Sequence, residues 1–197
     1  PTGTWTKHTI DPSLGGAVSV DVADIDQDNH LDVVATGLTD DVVVWYECPD
    51  PPTGTWTKRF IDQSLDGARG VCIASIDGWS TLDVVVAAQY AEQIVWYQGP
   101  ENPTAAEATW TKTIISELPA NREPVGVDVH DIDGDGPPDV VASLFLTANV
   151  VWYRPDWALW PIPEVPVGTI LLLGTGLLIP VAIAAAKWIR FNHRLSK

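Results

Sequence analysis

The sequence predicts an all-β protein made of β-propeller blades, each a sheet of four antiparallel strands. A Trp-Thr-Lys segment occurs three times, at Trp5, Trp56 and Trp110, with spacings of 51 and 54 residues. Each repeat also contains short apolar segments separated by polar turns. Self-similarity at this period is typical of blade or solenoid arrays. Four short strands per repeat favour the propeller blade.

The apolar pattern predicts the strands in order along the chain. Val18, Val20 and Val22 alternate with small or polar residues, which indicates a half-buried strand. Equivalent patterns predict strands at 31–36, 42–47, 55–61, 70–76, 82–88, 93–98, 109–115, 125–131, 140–144 and 149–154. Residues 4–10 predict the outer strand of a preceding blade, and the third blade lacks its fourth strand. Because an open ring exposes strand edges, we expect further N-terminal blades or a partner chain to complete it.

Composition divides the chain into repeats and a C-terminal tail. We assign repeats to about 1–51, 52–105 and 106–155, a Pro- and Trp-rich spacer to 156–164, a transmembrane helix to 165–189 and a basic tail to 190–197. The first seven residues copy the junction at 52–58, which predicts that the chain is the C-terminal part of a longer protein. Cys48 and Cys72 do not occupy equivalent repeat positions, and the sequence does not decide whether they form a disulfide.

The tail predicts a membrane anchor. Residues 165–186 carry no charge, and at about 1.5 Å per residue they are long enough to cross about 30 Å of hydrocarbon. The basic residues that follow predict a cytoplasmic C-terminus and an external propeller. A buried hydrophobic helix is the alternative. All 26 acidic residues precede Val165, and so acidic a body argues against nucleic-acid binding and should attract cations.

An acidic stretch in each repeat contains the candidate metal ligands. The nine residues from Asp24 to Asp32 recur as Asp131 to Asp139. Alternate residues direct carboxylates toward one centre, and hard oxygen ligands in this number favour Ca²⁺ over Zn²⁺. Asn29 and Gly136 lie where a sharp turn favours a positive φ. The predicted ligands are these carboxylates and two backbone carbonyls: Asp24, Asp26, Asp28, His30 (carbonyl) and Asp32, and Asp131, Asp133, Asp135, Pro137 (carbonyl) and Asp139.

The middle copy of this stretch, residues 75–83, has lost ligands. Asp77 and Asp83 remain, but Ser75 and Trp79 replace two aspartates. A third calcium site there is doubtful, and we expect Asp83→Ala to matter less than Asp139→Ala. No helical pattern flanks the loops and no glutamate occupies the twelfth position, which excludes an EF-hand. A solvated acidic turn is the alternative to a metal site in every copy.

The acidic loops, the Val-Trp-Tyr segments and the Trp-Thr-Lys segments together resemble the FG-GAP/VCBS repeat family over residues 1–155. That family forms propellers such as the integrin α-chain head and carries a D-x-D-x-D-G-x-x-D calcium loop in its blades. The resemblance implies structural calcium at the turn between the first two strands of a blade. The tail from Pro163 is similar to the C-terminal sorting anchors of archaeal and bacterial surface proteins.

The sequence favours a non-catalytic role. No serine, cysteine or lysine has the motif context of a nucleophile. We therefore expect a calcium-stabilised extracellular propeller that acts in protein–protein interaction, adhesion or surface assembly. One alternative is an accessory subunit that caps the exterior face of a larger membrane enzyme or transport complex. The other is a propeller hydrolase or lyase whose active residues lie in missing blades.

Overall fold

A computed structural model describes residues 3–155, which contain eleven strands and, within that range, no helix. The strands are β1 (Ala17–Ala23), β2 (Asp32–Gly37), β3 (Val42–Glu47), β4 (Thr57–Asp62), β5 (Ala68–Ala74), β6 (Asp83–Ala88), β7 (Gln93–Gln98), β8 (Thr111–Glu117), β9 (Pro124–His130), β10 (Asp139–Leu144) and β11 (Asn149–Tyr153). They form sheets β1-β2-β3-β4, β5-β6-β7-β8 and β9-β10-β11, in which every pairing is antiparallel. The all-β class and the four-stranded sheets are confirmed.

Two expectations about the chain ends have different outcomes. The outer strand predicted at residues 4–10 is wrong: these residues form no strand. An outer strand pairs with the third strand of its own blade, and the described residues place no such strand before it. Within residues 3–155 no helix is long and apolar enough to cross a bilayer. The spacer, the predicted helix 165–189 and the basic tail lie outside the described residues.

The Trp-Tyr pair at the end of each third strand explains how the sheets stack. Because successive strand residues point to opposite faces, the two aromatic rings serve two different interfaces. Trp45 joins Tyr97 in the core between the first two sheets, with Val34, Val84, Val86 and Leu65 among its members. Tyr46 faces the other way and packs in a cluster with Ile10 and Leu14. One dipeptide therefore contributes a buried ring to each face of its sheet.

The inner strands of successive sheets lie side by side, with β5 in contact with both β1 and β9. Gly70 on β5 permits the close approach of β9. A Cβ at Gly70 would lie 2.7 Å from the Val125 carbonyl oxygen and 2.8 Å from the Gly126 Cα. Three sheets stacked in this way resemble consecutive propeller blades, but the described residues form no closed ring.

A partly buried cluster of a tyrosine, an aspartate and a lysine also links the first sheet to the second. The Tyr97 hydroxyl donates a 2.6 Å hydrogen bond to Asp62 Oδ2, and Lys112 Nζ lies 3.0 Å from the same oxygen. Asp62 is on β4, whereas Tyr97 and Lys112 belong to the second sheet. Burial raises the pKa of Asp62, but the hydrogen bonds from Tyr97 and Lys112 outweigh it and the pKa is lowered overall. The preceding repeat has the same arrangement, formed by Tyr46, Asp11 and Lys58.

Both cysteines are free thiols. Cys48 is buried just beyond β3, and Cys72 lies on the inner strand β5. Burial, followed by the charges of Asp21 and Asp128, raises the pKa of Cys72 to about 12. A thiol with so high a pKa is protonated at neutral pH and therefore a weak nucleophile.

The two outermost sheet faces are apolar and exposed. On the first sheet, Val20, Val22 and Phe60 are exposed on the face opposite the second sheet; we call this the first open face. On the third sheet, Val150 and Trp152 are exposed on the face opposite the second; we call this the last open face. Trp152 occupies the repeat position of Trp45, which the second sheet buries completely.

Candidate metal centre

Three acidic loops connect the first and second strands of the three sheets. The first loop spans residues 24–31, the middle loop 75–82 and the third loop 131–138. Because each makes the same connection, all three lie at the equivalent end of their sheets. The Gln27 side-chain amide donates a 3.2 Å hydrogen bond to the Ser80 carbonyl, which joins the first loop to the middle one.

The first loop gathers three of its four predicted carboxylates. Asp24, Asp26 and Asp28 each present an oxygen within 4.8 Å of the others. The backbone amides of Asp28 and Asn29 each donate a 3.0 Å bond to Asp24. Asn29 has a φ of 71° and Gly136, at the same place in the third loop, one of 105°, as the sequence predicts. The turn therefore wraps the chain around the first aspartate.

Electrostatics in the first loop reflect crowding of like charges. Burial, followed by repulsion from Asp32 and Asp28, raises the pKa of Asp26. The pKa of Asp28 is lowered, because His30 hydrogen-bonds its side chain at 3.1 Å and the His30 backbone amide donates a second bond. The same pairing raises the pKa of His30. Asp26 therefore resists ionisation without a counter-charge.

The fourth aspartate of the first loop has a different role. Asp32 is buried and accepts bonds from the Ile25 amide at 3.1 Å and the Cys48 amide at 2.8 Å. Burial raises its pKa, and the two amide bonds partly offset the rise. Asp32 therefore fastens the loop to β2 and to the residue after β3, and it lies outside the three-carboxylate cluster.

The third loop gathers Asp131, Asp133 and Asp139, whose oxygens again lie within 4.8 Å of one another. The amides of Gly134 and Gly136 donate to Asp131 at 2.8 and 2.9 Å. Asp139 is fully buried, and its Oδ2 accepts the Ile132 amide at 3.0 Å. This loop brings its last aspartate into the cluster, whereas the first loop does not.

The second oxygen of Asp139 is buried without a hydrogen-bond partner. The equivalent oxygens of Asp32 and Asp83 accept the amides of Cys48 and Gly99. In the third repeat that position is Pro155, which has no N–H to donate. Leaving a buried charged oxygen unpaired costs roughly 1–3 kcal/mol or more. A bound cation would satisfy it.

Asp135, the one predicted carboxylate ligand of the third loop outside this cluster, pairs with an arginine. Its Oδ2 accepts hydrogen bonds from Arg154, whose Nε also lies 2.9 Å from Asp133 Oδ2. Arg154 follows β11 directly and reaches back over the loop. The sequence analysis did not single it out. Arg154 directly follows a Trp-Tyr pair, and this repeat position could have identified it from the sequence.

The two aspartates of the middle loop accept hydrogen bonds from other groups of the protein. Asp77 Oδ2 accepts the Gln98 side-chain amide at 2.7 Å. Asp83 is fully buried and accepts the amides of Ile76 and Gly99, each at 2.9 Å. Within the described residues this loop forms no group of three metal-ligating side chains. Asp83 thus has a structural role that needs no metal.

The two clusters have dimensions that suit calcium. Calcium–oxygen distances are about 2.3–2.6 Å, so ligands on opposite sides of one ion lie about 5 Å apart. The carboxylate oxygens of each cluster lie within 4.8 Å of one another, which is compatible with this condition. The carbonyls of His30 and Pro137 belong to the same loops as further oxygen donors. With the unpaired Asp139 oxygen, the donor chemistry fits a hard divalent cation.

A comparison with family models identifies part of the chain. Residues 76–142 match the FG-GAP-like repeat family. The FG-GAP-like segment includes most of the middle loop, all of the third loop, and strands β6 to β9. No curated protein matches the chain. The match supports the family resemblance for this segment, which contains the cluster with the unpaired Asp139 oxygen.

Proposed function

We propose that the repeats form a non-catalytic, calcium-stabilised β-propeller module that binds other protein units through its open faces, in adhesion or surface assembly. One observation carries the proposal. The equivalent tryptophans are 0 % exposed at Trp45 and partly buried at Trp96, where a neighbouring sheet is present, but 47 % exposed at Trp152, beside which the described residues place no further sheet. The last open face thus has the side chains of a buried interface without its cover.

The first open face supports the same conclusion. Val20 and Val22 are 65 % and 54 % exposed, although they occupy an inner strand of the kind that is covered in the second sheet. Large contiguous apolar surface on a soluble domain marks an interaction site. The unit that fits each face is another sheet of the same construction, supplied by further N-terminal blades or by a partner chain.

Calcium would act as a structural ion in this module. Bound in the first and third loops, it would offset repulsion among the clustered carboxylates and fix the turn between the two inner strands of a sheet. In the first loop Asp24, Asp26 and Asp28 would hold it, and in the third loop Asp131, Asp133 and Asp139. Because the inner strands form the contacts between sheets, ordering these turns would stabilise the stack.

Two of the histidines within residues 3–155, His30 and His130, support a non-catalytic role. His30 pairs with Asp28, and His130 Nε2 lies 3.3 Å from Asp128. Both pairs are substantially exposed, and each joins a histidine to a carboxylate and not to a serine or cysteine nucleophile. Such pairs are typical of surface ion pairs.

The apolar C-terminal run supports attachment to a membrane. In this proposal residues 165–189 form a single transmembrane helix, residues 190–197 are cytoplasmic, and the propeller lies outside the cell. The two open faces also favour the accessory-subunit role, because a module with two apolar faces can bridge neighbouring proteins of a membrane complex.

Site-specific photocrosslinking tests the interaction role. A photoreactive amino acid would replace Trp152 in the full chain in its native membrane, and Trp79 would serve as the control. Trp79 is 49 % exposed but lies on the middle acidic loop, away from the open faces. We expect discrete crosslinked peptides from position 152, either to a partner or to further blades of the same chain. Equal labelling at both positions, or none at 152, would contradict the proposal.

A further inference from the structure

The residue that follows each Trp-Tyr pair lies beside the acidic loop of its own sheet. These residues are Glu47, Gln98 and Arg154. Gln98 Nε2 lies 2.7 Å from Asp77 Oδ2, and Arg154 Nε lies 2.9 Å from Asp133 Oδ2. Asp77 and Asp133 are the same aspartate of the repeated loop. The residue after the Trp-Tyr pair therefore contacts the third residue of the acidic loop, through a neutral side chain in the second sheet and a cationic one in the third.

In the first loop this position adds negative charge. Here the residue after Trp45 and Tyr46 is Glu47, which is acidic. Arg59 partly neutralises Glu47, with Nη2 2.7 Å from its carboxylate. The first loop therefore has no counter-cation at the position of Arg154; His30, within the loop, pairs with Asp28.

In the third loop the same position supplies a cation. The Arg154 guanidinium bonds both Asp133 and Asp135. Its side chain is 55 % exposed, whereas those of Asp133 and Asp135 are 27 % and 26 % exposed. The guanidinium can therefore leave for solvent without disturbing the core. Asp133 also belongs to the cluster that contains the unpaired, buried oxygen of Asp139.

We propose that Arg154 is a built-in counter-cation of the third loop, which a divalent ion must displace from Asp133 and Asp135. The inference rests on the calcium role proposed above. A guanidinium and Ca²⁺ compete for the same carboxylate oxygens and repel each other when both are close. The third loop therefore binds calcium more weakly than the first and is neutralised when calcium is scarce. The middle loop has fewer carboxylates, and the neutral Gln98 is sufficient to pair with its Asp77.

Calcium titration of the full chain in mild detergent tests the displacement. The double substitution Asp26→Asn and Asp28→Asn disables the first loop, so calorimetry then reports the third. In that background we expect Arg154→Gln to tighten calcium binding by up to about fivefold, the scale of a partly exposed ion pair. Arg154→Lys should stay close to the parent.

Arg122→Gln is the matched control. It removes the same charge, but Arg122 lies in the connection between β8 and β9, where its amide bonds Glu92 and not an acidic loop. We expect its calcium affinity to equal the parent's. If Arg154→Gln leaves calcium affinity unchanged or weakens it, the guanidinium does not compete with the ion and the inference is wrong.

A melting experiment separates this inference from the proposed function. In EGTA, Arg154→Gln should lower the melting temperature, because Asp133 and Asp135 lose their counter-cation; in saturating calcium the loss should disappear. Arg122→Gln should show neither change. Equal loss in EGTA and in calcium would overturn the inference alone. If the unmodified chain binds no calcium at all, the proposed calcium role fails, while the loss in EGTA still reports the Arg154 pairing.

Discussion

Replacing Tyr97 with phenylalanine should weaken the attachment of the second sheet to the first. The substitution removes a 2.6 Å hydrogen bond to Asp62 but keeps the buried ring, so it creates almost no cavity. A hydrogen bond to a charged group contributes about 1.5–3 kcal/mol. Asp62 keeps Lys112 at 3.0 Å and the Ser64 amide at 2.8 Å, which places the loss near the lower end, about 1.5–2 kcal/mol.

Thermal and urea unfolding of the full chain in mild detergent would measure this loss. At about 2–4 °C per kcal/mol for a protein of this size, the melting temperature should fall by about 3–8 °C. Tyr153→Phe is the matched control, because Ser116 occupies the place of Asp62 in that repeat. We expect the control to change stability by less than about 0.5 kcal/mol. Equal losses for the two variants would refute the reasoning.

The same hydrogen bond should give a pH signature. The pKa of Asp62 is lowered in the folded protein, so its contribution is fully present above the unfolded-state value of about 3.9 and is lost as the pH falls through the folded-state pKa. The stability difference between the parent and Tyr97→Phe should therefore be constant near neutral pH and shrink in acid. A difference that persists unchanged in acid, while both proteins stay folded, would show that Asp62 is not the partner.

Two further predictions address the calcium ions and the membrane. At a calcium concentration about 100-fold above Kd, the ion should stabilise the chain by about 2.7 kcal/mol per site. Asp24→Asn should remove part of that gain, whereas Asp50→Asn, outside the loops, should not. Identical melting curves with EGTA and with calcium would refute a structural ion. In sealed vesicles, protease added outside should digest the repeats and leave residues 190–197 intact; digestion of both would contradict the proposed topology.

The sequence was sufficient to predict the local structure. The alternation of Val18, Val20 and Val22 and the repeats of Trp-Tyr and Trp-Thr-Lys predicted every strand of the three sheets to within a few residues. This succeeded because strand formation depends on a period of two and on turn residues, both of which are local. The failure at residues 4–10 has the complementary reason: an outer strand forms only when a third strand is present to pair with it.

The sequence also located the acidic loops, but tertiary structure decided what each aspartate does. Asp32, Asp83 and Asp139 are identical in the repeat pattern. Asp32 and Asp83 accept an amide that Asp139 lacks, because the residue three places after the repeat tryptophan is Cys48 or Gly99 in the first two sheets and Pro155, which has no N–H, in the third. Arg154 lies 19 residues from Asp135 in the chain, and only the β10–β11 hairpin brings the two together. Spacing along a chain identifies candidate ligands, but competition among neighbours from other strands determines which carboxylates stay free for a cation.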